Sequence, residues 1–109
     1  MKVKSNAILC DPWGQPLQIS SSKGGEMVDA TLGEVCIQAL LRGHPEDQTL
    51  EMKESLRRHA LAVAFAQSEY VEIDVQDAAL LQRLIHRTVT RAFFAPAYQL
   101  LEGEGHRAV

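Results

Sequence analysis

The chain has 109 residues, of which 46% are hydrophobic and 23% are charged. This composition is typical of one globular domain and excludes a largely disordered chain. The formal net charge of −3 argues against a protein held to DNA mainly by phosphate contacts, because each neutralised phosphate needs a lysine or arginine. The two cysteines have no paired spacing, and no apolar run has the length of a signal peptide or a membrane span. We therefore expect a cytoplasmic protein that does not cross a membrane.

An N-terminal β-hairpin or extended arm, followed by a linker, is predicted for residues 1–25. The segment Asp11–Gly14 has Asp first, Pro second and Gly last, which favours a β-turn. Apolar and polar residues alternate in Leu17–Ser20, as in a short strand. The segment Ser20–Gly25 is rich in serine and glycine, which predicts a flexible linker.

A helical domain is predicted for residues 26–103, with a flexible tail at 104–109. The first helix begins near Thr31, because Thr31 and Glu34 have the spacing of a capping box, and Gly43 and Pro45 end it. The second helix covers roughly residues 49–67. Its last part, Ala60–Ala66, is apolar on every side, which predicts either the centre of the bundle or part of a subunit contact.

The remaining elements follow from local signals near the carboxyl end. Tyr70–Val75 is short and β-like, as a strand or an extended link. Asp74 is a good N-cap for a third helix that runs to about Phe93. Pro96 suits the first turn of a last helix, which Gly103 ends. The predicted fold is therefore mainly α, a bundle of three to four helices behind the N-terminal arm.

A row of arginines is the first candidate site. Arg83, Arg87 and Arg91 recur every four residues of the third predicted helix. They could contact nucleic acid or an acidic partner. We favour a solvated face, because acids begin this helix and bases end it, which complements the helix dipole. A nucleic-acid-associated regulator stays as the alternative function.

No pattern of catalytic or metal-binding residues emerges, so we expect neither an enzyme nor a cofactor. The histidines have no zinc-site spacing, and there is no His-Glu-x-x-His sequence. Cys10 has no neighbouring base that would activate a thiolate. Cys36 fits the apolar face of the first helix. The four histidines are His44, His59, His86 and His106.

Large apolar side chains are the second candidate site, as a protein interface. Trp13 at a turn tip could anchor a partner, or it could fold back over the helices, and we favour the latter because a small domain needs the buried area. The apolar end of the second helix and the Phe93–Phe94 region have more apolar surface than a monomer of this size easily hides, which predicts a homo-oligomer. The candidate interface residues are Trp13, Phe65, Phe93 and Phe94.

A series of short motifs runs along most of the chain, from Asp11, Gly14 and Pro16 near its start to Leu100, Leu101 and Glu102 near its end. The order of these motifs resembles a group of small helical proteins from tailed bacteriophages and prophages, largely of unknown function. The departure lies at Ala92–Ala97, where those proteins tend to have Tyr-x-Pro followed by Gly and this chain has Phe-Phe-Ala-Pro-Ala. The matching residues are Asp11, Gly14, Pro16, Thr31, Leu32, Gly33, Ala39, Leu40, Leu41, Val71, Glu72, Asp77, Pro96, Leu100, Leu101 and Glu102.

This resemblance implies a phage-type protein in the cytoplasm of a bacterial host, with association with the virion as a further expectation. It supplies no catalytic residues. Together with the apolar surface, it predicts a non-catalytic protein that acts by protein–protein contact in virion assembly. Other phage structural proteins are the expected partners besides further copies of the chain.

Overall fold

The computed structural model describes residues 1–21, 23–42, 50–89 and 91–102, with the backbone alone at 102. This part of the chain contains four helices and four short strands. Two antiparallel two-stranded sheets accompany the helices, so the fold is mixed rather than a purely helical bundle. The elements are β1 Lys2–Lys4, β2 Gln18–Ser20, β3 Met27–Asp29, α1 Leu32–Leu41, α2 Met52–Gln67, β4 Tyr70–Glu72, α3 Val75–Thr88 and α4 Arg91–Glu102.

The predicted turn at Asp11 is present. The Asp11 carboxylate accepts hydrogen bonds from the backbone N–H groups of Trp13 and Gln15, each at 2.9 Å. The N–H of Gly14 donates to the carbonyl of Asp11 at 3.0 Å. Gly14 has a φ of +83°, a left-handed conformation that glycine adopts without a steric penalty. The residues that form the turn are therefore the ones from which the sequence predicts it.

Three segments of the N-terminal region are joined by a closed ring of backbone hydrogen bonds. The N–H of Leu9 donates to Ala30, that of Ala30 to Leu17, and that of Leu17 back to Leu9, at 2.8, 2.7 and 2.9 Å. β2 then pairs with β3 through Ile19 and Val28. The predicted linker Ser20–Gly25 thus begins inside β2 and continues into the connection between two paired strands, which corrects the prediction of a plain linker.

The second sheet joins the first strand of the chain to the segment between α2 and α3. β1 pairs with β4 in antiparallel register, with Val3 opposite Val71. Both valines are 4% exposed and belong to the core. The β-like segment after α2 is therefore a strand, and its partner lies near the first residue of the chain.

The amino end of α1 is closed by hydrogen bonds. Thr31 is the N-cap, and its hydroxyl accepts from the N–H of Glu34 at 3.1 Å, as the sequence predicts. The N–H groups of Leu32 and Gly33 donate to the carbonyls of Ala7 and Ser5 at 2.9 and 2.7 Å. Three of the donors that a helix leaves unpaired are thus satisfied by the chain itself. The predicted end signals, Gly43 and Pro45, lie outside the described residues.

Of the two predictions for the apolar end of α2, the structure excludes the centre of the bundle, and a subunit contact stays a prediction. This end is not buried on every side, because Ala60, Val63 and Ala66 are exposed. The helix buries one face, formed by Arg58, Ala62 and Phe65. The centre of the bundle is occupied instead by α1, which contacts α2, α3 and α4.

The break between the third and the last helix lies earlier than predicted. α3 begins at the predicted N-cap, where Asp74 and Asp77 form a reciprocal capping box, but it ends at Thr88. The β-branched residues Thr88 and Val89 disfavour helix, and the Thr88 hydroxyl donates to the Leu84 carbonyl at 2.7 Å. α4 begins at Arg91, so Pro96 lies inside this helix rather than in its first turn.

The core is continuous and uses every helix. α3 contributes the apolar arc that the sequence predicts, and its Leu81 and Leu84 are fully buried. The largest fully buried side chains are Leu9, Leu32, Val35, Cys36, Ile73, Leu81, Leu84, Ile85 and Leu101.

Candidate protein interface

The outward face of α2 is apolar. Met52, Leu56 and Val63 are 78%, 63% and 37% exposed. At about 100° per residue they lie on one arc of the helix, opposite the buried face. His59, Ala60 and Ala66 are exposed on the same arc. We call this set the α2 stripe: Met52, Leu56, His59, Ala60, Val63 and Ala66.

The α2 stripe contains no Asp, Glu, Lys or Arg side chain. A surface helix of a globular domain ordinarily directs charged and polar groups to water. The nearest charged residue on α2 is Lys53, at the border of the arc. An uncharged apolar arc that faces solvent is the pattern of a contact surface.

Charged residues hold α2 in place from its other side. Arg57 donates to Glu54 at 3.0 Å and also to Asp77 in the first turn of α3. Arg58 is 6% exposed, and its Nε lies 3.7 Å from Glu54. The hydrogen bond to Asp77, with the one to Glu54, raises the pKa of Arg57 above its ordinary value. The pair with Asp77 links α2 to the first turn of α3, while α2 packs mainly on α1 through the face opposite the α2 stripe.

Replacing Arg57 by alanine is expected to lower the free energy of unfolding by about 1 kcal/mol, because it removes the ion pair with Asp77 that joins two helices. The effect is no larger because Arg57 is partly exposed and water screens the pair. Urea denaturation followed by circular dichroism measures the change. Arg83, exposed on α3, is the matched control, and its replacement by alanine should change stability by less than about 0.5 kcal/mol. Equal effects of the two variants would contradict this role for Arg57.

The predicted interface phenylalanines lie in different environments. Phe65 is 4% exposed and belongs to the core, so it is not on the surface of the monomer, and the sequence interpretation of this residue is corrected. Phe93 and Phe94 are partly buried against the core. Phe94 contacts His86 edge to face, with ring centroids 4.8 Å apart, and Tyr98 at 5.4 Å.

Trp13 does not fold back over the helices. It is 83% exposed at the tip of the Asp11 turn. The favoured interpretation of this residue is therefore wrong, and the alternative, an exposed aromatic side chain, describes the structure. An indole in this position is available to a partner.

The predicted arginine row is not a single helical stripe. Arg83 and Arg87 are exposed on α3, whereas Arg91 is the first residue of α4, after the break at Thr88. Arg42, which follows α1, donates to the carbonyl of Thr88 at 3.5 Å. The structure thus brings a further arginine, which the sequence interpretation missed, to the end of α3.

The two cysteines lie in different environments. Cys36 is fully buried in α1, and burial raises the pKa of its thiol, so it stays protonated. Cys10 is exposed. Within residues 1–21, 23–42, 50–89 and 91–102, no three His, Cys, Asp or Glu side chains are placed to hold a metal ion. His44 and His106 lie outside these ranges.

Two open grooves mark the surface. One, of about 460 Å³, lies between the amino end of α1 and the carboxyl end of α2, beside Ser5, Thr31 and Gly33. Of its polar residues, Ser5 donates to the carbonyls of Ser68 and Glu69. The other groove, of about 410 Å³, is lined mainly by apolar residues, among them Ile73, Val75 and Leu101.

The α2 stripe is the feature that the sequence interpretation located least well. It recognised the apolar end of the helix but not the part played by Met52 and Leu56, which alternate with charged residues. A helical projection shows two apolar arcs on α2, one with Ala62 and Phe65 and one with Leu56 and Val63. The sequence does not tell which of the two arcs faces the core.

No helix in the described residues combines the length and the apolar character that crossing a membrane requires. Comparison with known proteins found no matching family model, no similar curated protein and no similar solved structure.

Proposed function

We propose that this chain is a non-catalytic protein of the phage or prophage type, and that it acts by protein–protein contact in virion assembly. In this proposal it works as a homo-oligomer in the cytoplasm of a bacterial host and meets other phage structural proteins. The observation that carries the proposal is the α2 stripe, an uncharged apolar arc exposed to solvent. Exposed Trp13 offers a second anchor at another place on the surface.

The polar residues of the described chain support the non-catalytic part of the proposal. Asp74 and Asp77 cap α3, and Glu54 pairs with Arg57. Thr31 caps α1. These side chains are committed to stabilising the fold, whereas the exposed apolar side chains have no such role.

Sedimentation velocity over a wide range of protein concentration tests the proposal. The monomer has a mass of 12.1 kDa. We expect the average mass to rise above this value as the concentration is raised, because the population of a reversible oligomer increases with concentration by mass action. A single species of monomer mass at the highest concentration would contradict the homo-oligomer.

The second candidate function is a small nucleic-acid-associated regulator. It is favoured by one observation, the placement of Arg42 near the end of α3, where Arg87 is exposed and Arg91 follows. The net charge of −3 weighs against it. Fluorescence anisotropy with labelled DNA decides between the two functions. Binding that weakens steeply with salt and is lost in an Arg87→Ala/Arg91→Ala variant supports the regulator, and no binding at low salt removes it.

A further inference from the structure

We propose that the occupant of the α2 stripe is the α2 stripe of a second copy of this chain, packed antiparallel about a twofold axis that passes between His59 and Ala60. This inference rests on the proposed self-association and names the surface and geometry that perform it. Four features of the stripe support it: its spacing, its gradient in side-chain size, its charge and its length.

The spacing of the stripe is symmetric about its centre. Leu56 and Val63 lie equally far from the midpoint between His59 and Ala60. A twofold axis at that point places Leu56 of each copy against Val63 of the other. The same patch then serves both subunits, as an isologous interface requires.

The size of the side chains changes along the stripe. Met52 and Leu56, at the amino end, are large, whereas Val63 and Ala66, towards the carboxyl end, are smaller. In a parallel pair, large residues would face large ones at one end and small residues would face small ones at the other. In an antiparallel pair about this axis, Leu56 faces the smaller Val63, and Met52 lies opposite the end of α2 at Ala66 and Gln67. The two helix axes can then stay about 8–10 Å apart along their whole length.

The charges near the stripe also favour the antiparallel arrangement. Lys53 lies at the amino end of α2, and the last turn of α2 has no basic residue of its own. An antiparallel second copy brings its Lys53 beside that last turn, where the helix carbonyls carry partial negative charge. The stripe contains no Asp, Glu, Lys or Arg, so pairing it buries no such charge, and His59 beside the axis is its one polar side chain.

The length of the stripe sets the expected strength of the contact. α2 has 16 residues, which is about 24 Å. A single pair of helices of this length covers less than the roughly 1,600 Å² of a standard interface. We therefore expect a reversible dimer whose population rises with concentration.

Disulfide cross-linking tests the geometry. All variants carry Cys10→Ser, which removes the exposed native thiol, and Cys36 is buried. We expect His59→Cys to form a disulfide-linked dimer on mild oxidation, severalfold more than Gln99→Cys, the exposed control on α4. Two cysteines introduced at residue 59 lie next to the axis, within the short Cβ–Cβ reach of a disulfide.

A mixed experiment distinguishes the two orientations. Leu56→Cys and Val63→Cys, one of them enlarged by a tag, should cross-link to each other severalfold more than either does to itself. In the antiparallel pair, two residues at position 56 are separated by about 10 Å along the axis, too far for a disulfide. Self-cross-linking of Leu56→Cys equal to the mixed product would overturn the antiparallel geometry.

Sedimentation of the same proteins separates failure of this inference from failure of the proposed function. An oligomer whose His59→Cys variant cross-links no more than the Gln99→Cys control overturns the α2 pairing and leaves self-association standing. A strict monomer overturns both. Circular dichroism establishes that each variant is folded, which we expect because the substituted side chains are exposed.

Discussion

Replacement of Gly33 by alanine is expected to lower the free energy of unfolding by about 2–3 kcal/mol. Gly33 lies in the first turn of α1, where alanine is ordinarily the better helix former by about 1 kcal/mol. A Cβ at this position would meet the backbone carbonyl of Ser5 at 2.8 Å and that of Phe65 at 3.4 Å. Backbone cannot move aside cheaply, so the steric cost exceeds the gain in helix propensity.

Chemical denaturation with Gly24→Ala as the matched control measures this effect. A Cβ on Gly24 has no neighbouring atom within 4 Å, so we expect a change of less than about 0.5 kcal/mol. The N–H of Gly33 also donates to Ser5 at 2.7 Å, and this bond anchors the N-terminal segment to α1. Increased stability of Gly33→Ala would show that the segment before α1 is not held against the helix.

Truncation of Leu84 to alanine is expected to cost about 2–5 kcal/mol, because its side chain is fully buried in the core between the helices. The loss combines the transfer free energy of the deleted atoms with the cost of the cavity left behind. Such an effect is a large part of the total stability of a small domain. Thermal or urea unfolding, followed by circular dichroism, gives the measurement.

Leu56→Ala provides the comparison, since the same chemical change is made at a side chain that is 63% exposed. For the monomer we expect a change of less than about 0.5 kcal/mol. Because both residues are leucine, a difference in stability between the two variants reports the difference in burial. Similar losses at both positions would mean that Leu56 is buried and that the α2 stripe does not face solvent.

Local signals in the sequence predicted the parts of the fold that depend on local chemistry. Thr31 and Asp74 each cap a helix, because a short oxygen-bearing side chain satisfies a backbone N–H two or three residues on. The turn at Asp11 and the apolar arc of α3 follow the same logic. These features involve residues within one turn of each other, and their pattern is visible in the sequence.

Long-range pairings could not be predicted in this way. β1 has three residues, and α1 and α2 lie between it and its partner β4 in the sequence. The break between α3 and α4 is predicted too late, near Phe93, because the apolar period continues past Thr88, while Thr88 and Val89 weaken the helix locally. Pro96 within α4 is tolerated where tertiary contacts hold the helix, and Ala97 beside it is fully buried.

The sequence and the structure direct attention to the same helix for the candidate site but to different residues of it. Apolar excess on the second helix indicated a contact surface, and the structure places that excess on Leu56 and Val63 rather than on Phe65. The inward arc of α2 is the one whose Ala62 and Phe65 pack into the core, and Arg57 adds a pair with Asp77 on another helix. These contacts are made with other elements, so the pattern of α2 alone does not show which arc is buried.

Sedimentation equilibrium of the wild-type chain beside Leu56→Glu, in the same buffer and over the same concentrations, tests the central claim most directly. Leu56 is exposed, so the variant should fold, but it places a carboxylate in the middle of the α2 stripe. We predict that the wild type rises from 12.1 kDa towards twice that mass and that Leu56→Glu stays at the monomer mass. Identical mass curves for the two proteins would contradict a contact function for the α2 stripe.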